Sequence, residues 1–248
     1  EASKSILAKN TNTRPSMLVI GAPKEVKVIK YKKIQKLVNK QRLSANFPVV
    51  FYVSHNIELN VEKGFPCTKP NPDLFSDELK LIDLFGKVKK NIMYKPYPTK
   101  QYLEDKENYI KKKIEKFKNI QYINFEEDFR YLRTISDILI TQSNQSTLGW
   151  CIGTNLPLVY LDSKYYNSLM DDNTRQAFQE CFFFFNYDEY GWEKELINFL
   201  NKPYDEILQL WKKKEPYRKK YDDIYFLSSK KNAGKLGANY IEQLMSKK

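Results

Sequence analysis

The sequence is poor in the residues that mark several classes of protein. Only 8 glycines and 11 prolines occur among 248 residues, which excludes collagen-like and low-complexity chains. A single histidine, His55, and three widely spaced cysteines argue against a zinc site, so we expect no metal and no cofactor. An odd number of distant cysteines is typical of thiols in a reducing compartment, which predicts a cytoplasmic protein. The sequence also lacks an apolar run long enough for a transmembrane helix.

Basic residues outnumber acidic ones, with 42 Lys and Arg against 30 Asp and Glu and a formal net charge of +12 at pH 7. Such a surplus favours nucleic acid, an anionic membrane or phosphorylated substrates as partners. Lysines spread along the whole chain are equally typical of an AT-biased genome. RRM, KH, zinc-finger and homeodomain patterns are missing, so nucleic acid is not supported beyond charge. The lysine triplets 111–113 and 212–214 are either solvated helix faces or contacts to an anionic membrane.

Short apolar runs alternate with helical stretches from about residue 47 onward. The predicted strands are 48–53, 91–95, 121–125, 137–141, 156–161 and 181–185. Continuous apolar runs are typical of strands buried on both faces of a parallel sheet. We therefore predict an α/β fold with a doubly wound parallel sheet, closed by helices over 203–227 and 238–248.

The first 46 residues are too few for a domain of their own. They predict a short strand at 16–21 and a basic helix over 25–43, which we interpret as a linker. The chain begins with Glu1 rather than Met, so we expect a piece of a longer protein. Residues 1–46 would then be the remnant of a missing N-terminal domain, and residues 47–248 a second domain.

The segment 136–162 has the most specific pattern in the chain. It predicts a strand, a polar turn, a short helix that begins at Ser146 and ends before Gly153, and a second strand. Ser146 is a good N-cap and Thr147 lies in the first turn. Hydroxyls and free backbone N–H groups at a helix N-terminus can bind phosphate. The alternative is that Ser146 only caps its helix.

The order of these motifs resembles the C-terminal half of GT-B-fold glycosyltransferases. The similarity is closest to bacterial surface-polysaccharide transferases, which are distantly like Kdo transferases, sialyltransferases and teichoic-acid polymerases. It covers roughly residues 47–226. The supporting motifs are the 136–162 segment, Tyr94–Pro98, the strand ending at Glu126, Tyr165–Tyr166, Phe178, Phe182–Phe185 and Trp192. The resemblance implies that residues 47–248 form a Rossmann-like domain that binds a nucleotide sugar.

The resemblance also implies an activity and a set of donor-binding residues. The enzyme would transfer a sugar from a nucleotide-activated donor, CMP-linked by analogy, to a cell-surface glycan such as lipopolysaccharide at the inner membrane face. The implied donor-binding residues are Lys95, Tyr97, Glu126, Ser143, Ser146 and Thr147. Ser146 and Thr147 would hold the donor phosphate, Lys95 would neutralise its charge, and Glu126 would bind the ribose hydroxyls. Tyr97 stands where the family often has His, and a phenol carries no positive charge near neutral pH.

His55 and Glu58 are the catalytic candidates, on the loop after the first predicted strand. Histidine is an acid and base at physiological pH, and Glu58 would face the acceptor sugar. The alternative is that both are ordinary loop residues and that the catalytic base comes from a missing domain or a partner chain. Two other classes stay open, a nucleotide-sugar epimerase of similar fold and a non-enzymatic basic module that binds membrane or nucleic acid. A single histidine weighs against the epimerase, which needs more acids and bases in its cleft.

Overall fold

The computed structural model describes residues 48–54, 71–96, 108–123, 129–142, 146–164, 170–222 and 233–246. Six strands form one sheet in the order β3-β2-β1-β4-β5-β6, and every neighbouring pair is parallel. The strands are β1 (Val49–Val53), β2 (Asn91–Lys95), β3 (Ile120–Tyr122), β4 (Ile138–Thr141), β5 (Leu158–Asp162) and β6 (Phe183–Asn186). This arrangement confirms the predicted α/β fold with a doubly wound parallel sheet.

Helices occupy the connections between the strands and the C-terminal part of the chain. They are α1 (Asn71–Gly86), α2 (Tyr109–Ile114), α3 (Phe129–Leu132), α4 (Ser146–Ile152), α5 (Asp172–Cys181), α6 (Trp192–Leu200), α7 (Tyr204–Lys213), α8 (Glu215–Tyr221) and α9 (Ala233–Met245). Right-handed crossovers, the rule for parallel strands joined in this way, place the crossover helices of the two halves of the sheet on opposite faces. Within the described ranges, no helix has the length and apolar content to cross a membrane.

The four inner strands explain why their sequences are continuous apolar runs. Every residue of β1, β2, β4 and β5 is buried, because helices cover both faces of the sheet. From α1, Leu81, Ile82 and Phe85 are fully buried. On the β6 side, the Phe183 ring packs against Phe199 of α6 with ring centroids 4.4 Å apart.

The last strand and the first closing helix differ from the sequence prediction. The strand predicted over 181–185 begins at Phe183, because Cys181 is the last residue of α5 and the Phe182 N–H still donates to the Phe178 carbonyl. The single helix predicted over 203–227 is divided at Lys214 into α7 and α8. Pro216 explains the division, since it has no N–H for the helix ladder and is favoured in a first turn.

The lysine triplets are only partly solvated. Lys214 donates from Nζ to the carbonyls of Gln179 and Glu180, at 2.8 and 3.0 Å, at the C-terminal end of α5. Lys113 forms an ion pair of 2.7 Å with Asp83 of α1. The remaining members, Lys111, Lys112, Lys212 and Lys213, are exposed. One lysine of each triplet therefore has a role in packing two helices, and two are solvated.

Candidate functional site

The carboxyl ends of β1 and β4 lie side by side at the point where the strand order reverses. To one side of β1 the chain runs through β2 and β3, and to the other through β4, β5 and β6. Tyr52 lies opposite Ile140, and continuing this register by two residues brings Ser54 level with Gln142. In open α/β sheets, ligands bind in the crevice at such a reversal, outside the carboxyl ends of the strands. Ser54 and Gln142 are both polar and both buried at this edge.

Beneath this crevice lies a buried carboxylate, Glu78 of α1, which is only 2% exposed. Its Oε1 accepts a hydrogen bond of 2.5 Å from the Tyr94 hydroxyl. Its Oε2 accepts from the Tyr52 hydroxyl at 2.7 Å and from Gln142 Nε2 at 3.4 Å. The Ser54 side chain is also hydrogen-bonded to this carboxylate. Residues from β1, β2, α1 and the end of β4 therefore meet at one acidic group.

Burial sets the ionisation of this cluster. It raises the pKa of the Glu78 carboxyl, and hydrogen bonds from Tyr94, Tyr52, Ser54 and Gln142 offset part of that rise. Burial raises the pKa of Tyr52 well above its ordinary value of 10.0, and the nearby Glu78 carboxylate raises it further. The Tyr52 phenol therefore remains protonated and can donate its hydrogen at any physiological pH.

The cluster extends to the turn after β6 through Gln142. The Tyr187 hydroxyl donates to Gln142 Oε1 at 2.8 Å, and the Tyr187 ring packs on Trp192 with centroids 4.3 Å apart. Gln142 Nε2 in turn donates to the Tyr52 hydroxyl oxygen. The polar cluster is thus continuous from the half-buried Tyr187 down to the buried Glu78.

Glu78 was not identified in the sequence analysis, although its position carries a signal. It lies four residues after Leu74 and three before Leu81, both buried, so it occupies a core position of an amphipathic helix. A charged residue is rarely fully buried without hydrogen-bonding partners. An acid on the apolar stripe of α1 therefore predicts donors on the strands that it covers, although not which ones.

The edge next to β5 and β6 is held together by the protein itself. Asp162, which is fully buried at 0% exposure, forms an ion pair with Arg175 of α5. Asp188 accepts hydrogen bonds from Ser163 Oγ at 3.3 Å and from the Lys164 N–H at 2.8 Å. These contacts join β5, α5 and the turn after β6, and they stabilise this edge of the sheet.

The structure places three of the predicted donor-binding residues. Lys95 is the last residue of β2, is 1% exposed, and accepts from the Ser54 N–H on its backbone carbonyl at 2.9 Å. The Lys95 side chain therefore lies in the interior of this structure. Ser146 begins α4 as expected, with Thr147 half-buried in its first turn, and the helix ends before Gly153. Their binding roles stay predictions.

The other predicted residues lie outside the described part of the chain. They are His55, Glu58, Tyr97, Glu126 and Ser143. Their assigned roles in catalysis and donor binding remain predictions. Within the described ranges, no group of three His, Cys, Asp or Glu side chains could hold a metal ion.

The sheet order and this edge define an α/β protein with a doubly wound, Rossmann-like sheet. No protein-family model matches the sequence, and a search of curated proteins found no match. Among solved structures, the chain is similar to the wall teichoic acid polymerase TagF, at 18% identity and a TM-score of 0.48 over 86% of this chain. It is also similar to Alr3699/HepE from Anabaena in complex with UDP-glucose, at 12% identity and a TM-score of 0.49 over 88% of this chain. The chain covers 47% of TagF and 53% of HepE.

Proposed function

We propose that this chain is the donor-binding part of a glycosyltransferase and that it binds a nucleotide-activated sugar at the carboxyl edge of the sheet. The observation that carries the proposal is the pair of buried polar residues, Ser54 and Gln142, at the ends of β1 and β4. They lie where the strand order reverses, which is the ligand position of this class of sheet.

The chemistry of glycosyl transfer fits this edge. The bond that breaks joins the anomeric carbon of the sugar to an oxygen of the nucleotide phosphate, so negative charge grows on the leaving phosphate. Hydroxyl and backbone N–H donors that face this charge lower the barrier, since they are already in place when it develops. The sequence resemblance assigns Ser146 and Thr147 to this task, and α4 begins next to the end of β4. A net charge of +12 favours the approach of an anionic donor.

The finer assignments follow the sequence resemblance. The donor is CMP-linked and the acceptor is a surface glycan. The acceptor and the catalytic base come from another domain or chain, with His55 and Glu58 as the candidates from this one. The buried residues of the described site hold the carboxyl edge of the sheet in place, and the donor-phosphate contacts fall to Lys95, Tyr97, Ser143, Ser146 and Thr147, with Glu126 on the ribose.

Calorimetric titration with CMP, UDP, GDP and a single-stranded oligonucleotide tests the proposal. Saturable binding of one nucleotide, at a stoichiometry of one and with weak salt dependence, supports it. If no nucleotide binds and the oligonucleotide binds with a steep dependence on salt, the chain is a basic nucleic-acid module and the proposal is wrong. Incubation of the chain with the matching nucleotide sugar and no acceptor then separates the two enzyme classes, since an epimerase converts the sugar and a transferase does not.

We also propose a peripheral contact with anionic membrane through the exposed Lys111, Lys112, Lys212 and Lys213. Each lysine near such a surface contributes about 1 kcal/mol at most. Replacing these four by glutamine should weaken sedimentation with phosphatidylglycerol vesicles in low salt. Unchanged sedimentation would show that the four lysines are solvated surface charges only.

A further inference from the structure

Four side chains form a series of hydrogen bonds in which each member donates to the next. Tyr187 donates to Gln142 Oε1, Gln142 Nε2 donates to Tyr52, and Tyr52 donates to Glu78. Gln142 is the first residue after β4, so it lies where the main chain leaves the sheet. This series of hydrogen bonds therefore connects Glu78 of α1 to Gln142, at the end of β4, where the strand order reverses.

Glu78 sets this direction, because its two carboxyl oxygens accept the hydrogens of Tyr94 and Tyr52. The Tyr52 hydrogen must point at Glu78, which leaves the Tyr52 oxygen free to accept from an N–H. Gln142 must then turn its Nε2 toward Tyr52 and its Oε1 toward Tyr187. Gln142 Nε2 also lies 3.4 Å from Glu78 Oε2, which favours the same orientation.

Filling space does not account for a glutamate at this position. Glu78 lies on the apolar stripe of α1 among buried leucines, and a carboxylate costs several kcal/mol to remove from water. An apolar residue of similar volume at position 78, with phenylalanine in place of Tyr52 and Tyr94, would pack without that cost. What a carboxylate adds is a directed hydrogen bond through Tyr52 to Gln142.

We propose that Glu78 is a positioning residue of the donor site, which acts through Tyr52 to hold the side chain of Gln142 at the carboxyl end of β4. The inference rests on the proposed function, since the position of Gln142 matters to a ligand only if a nucleotide binds at this edge. Glu78 itself is buried beneath the crevice and is not assigned a contact with the donor.

Two matched variants separate positioning from packing. Tyr52→Phe and Tyr94→Phe each remove one buried hydroxyl that donates to Glu78, one from each carboxylate oxygen. Tyr52→Phe also breaks the bridge to Gln142. We expect Tyr52→Phe to weaken binding of the preferred nucleotide about fivefold or more and Tyr94→Phe to change it about twofold or less, with similar falls in melting temperature.

The side-chain amide of Gln142 gives a second measurement that needs no ligand. Its NH₂ signals in a ¹⁵N–¹H spectrum, identified by their loss in Gln142→Leu, should move in Tyr52→Phe and Glu78→Gln and stay in place in Tyr94→Phe. Glu78→Gln replaces one of the two accepting oxygens by an NH₂ group, so its affinity should follow Tyr52→Phe. If Glu78→Gln does not fold, the pair of phenylalanine variants decides the question.

Equal losses of affinity in the two phenylalanine variants, or losses that follow the melting temperature, would overturn the positioning role while leaving nucleotide binding intact. A wild-type chain that binds none of CMP, UDP and GDP would overturn the proposed function and this inference with it. The two failures are therefore distinguishable in the same titrations.

Discussion

Replacing Glu78 by leucine should destabilise the protein strongly, although the two side chains have similar volumes. Glu78 is buried under the sheet, and its carboxylate accepts hydrogen bonds from Tyr52 and Tyr94. Leucine would leave both hydroxyls in the interior without this acceptor. An unsatisfied buried donor costs about 1–3 kcal/mol, so the two together cost about 2–6 kcal/mol.

Part of that loss is offset, because leucine removes the cost of burying a charge. We therefore expect a net loss of about 2–4 kcal/mol in the free energy of unfolding. For a domain of this size, each kcal/mol lowers the melting temperature by about 2–4 °C. Urea unfolding followed by far-ultraviolet circular dichroism measures the free energy, and Leu81→Met, at a buried position of the same helix, serves as the control for packing.

The difference between wild type and Glu78→Leu should also depend on pH. Burial raises the pKa of Glu78 in the folded protein above its ordinary 4.5. Hydrogen bonds from Tyr52, Tyr94, Ser54 and Gln142 offset only part of that rise. The stability that this group contributes is therefore complete below pH 4.5 and is lost as pH rises through the folded-state pKa. The gap in unfolding free energy should be largest near pH 4.5 and smaller at pH 8. A leucine variant as stable as wild type, or a gap that widens with pH, would refute this account of the network.

Three further changes probe the site and its supports. Ser146→Ala combined with Thr147→Val should weaken nucleotide binding at least about tenfold while costing about 1 kcal/mol of stability, and unchanged affinity with a lower melting temperature would make Ser146 a helix cap only. Lys214→Ala should lower the free energy of unfolding in urea by about 1–2 kcal/mol, since its Nζ donates to carbonyls at the end of α5. The control, Lys213→Ala at an exposed position, should change it by almost nothing. Arg175→Leu should cost about 3 kcal/mol, because it removes the guanidinium from the buried Asp162, and adding Asp162→Asn should recover part of the loss in the same assay.

Local patterns along the chain were sufficient to predict where the strands lie and where several helices begin or end. Strands buried on both faces are continuous apolar runs, and each of the six predicted runs overlaps a strand of the sheet. Ser146 and Gly153 marked the two ends of α4, which runs from Ser146 to Ile152, although the left-handed residue after this helix is Asn155 rather than Gly153. The misplaced start of β6 has a reason of the same kind, since Cys181 satisfies the apolar pattern of a strand and of α5 equally.

The lysine triplets show where a one-dimensional pattern stops being informative. Lys212, Lys213 and Lys214 are chemically identical neighbours, yet only Lys214 meets the end of α5. That contact depends on the angle at which α8 leaves α7 and on the distance to α5. A charge pattern contains neither quantity.

The class of fold and the number of strands follow from the residue pattern alone, because burial on both faces leaves a continuous apolar run in the sequence of each strand. The polar network is different. Glu78 is 26 residues from Tyr52 and 64 from Gln142 along the chain, and these residues meet only because β1 pairs with both β2 and β4 while α1 covers that face. Sequence could mark Glu78 as an acid at a core position of its helix. Its partners, its ionisation and its connection to the end of β4 were decided by the tertiary structure, since hydrogen bonds of about 3 Å require atoms that only the folded sheet brings together.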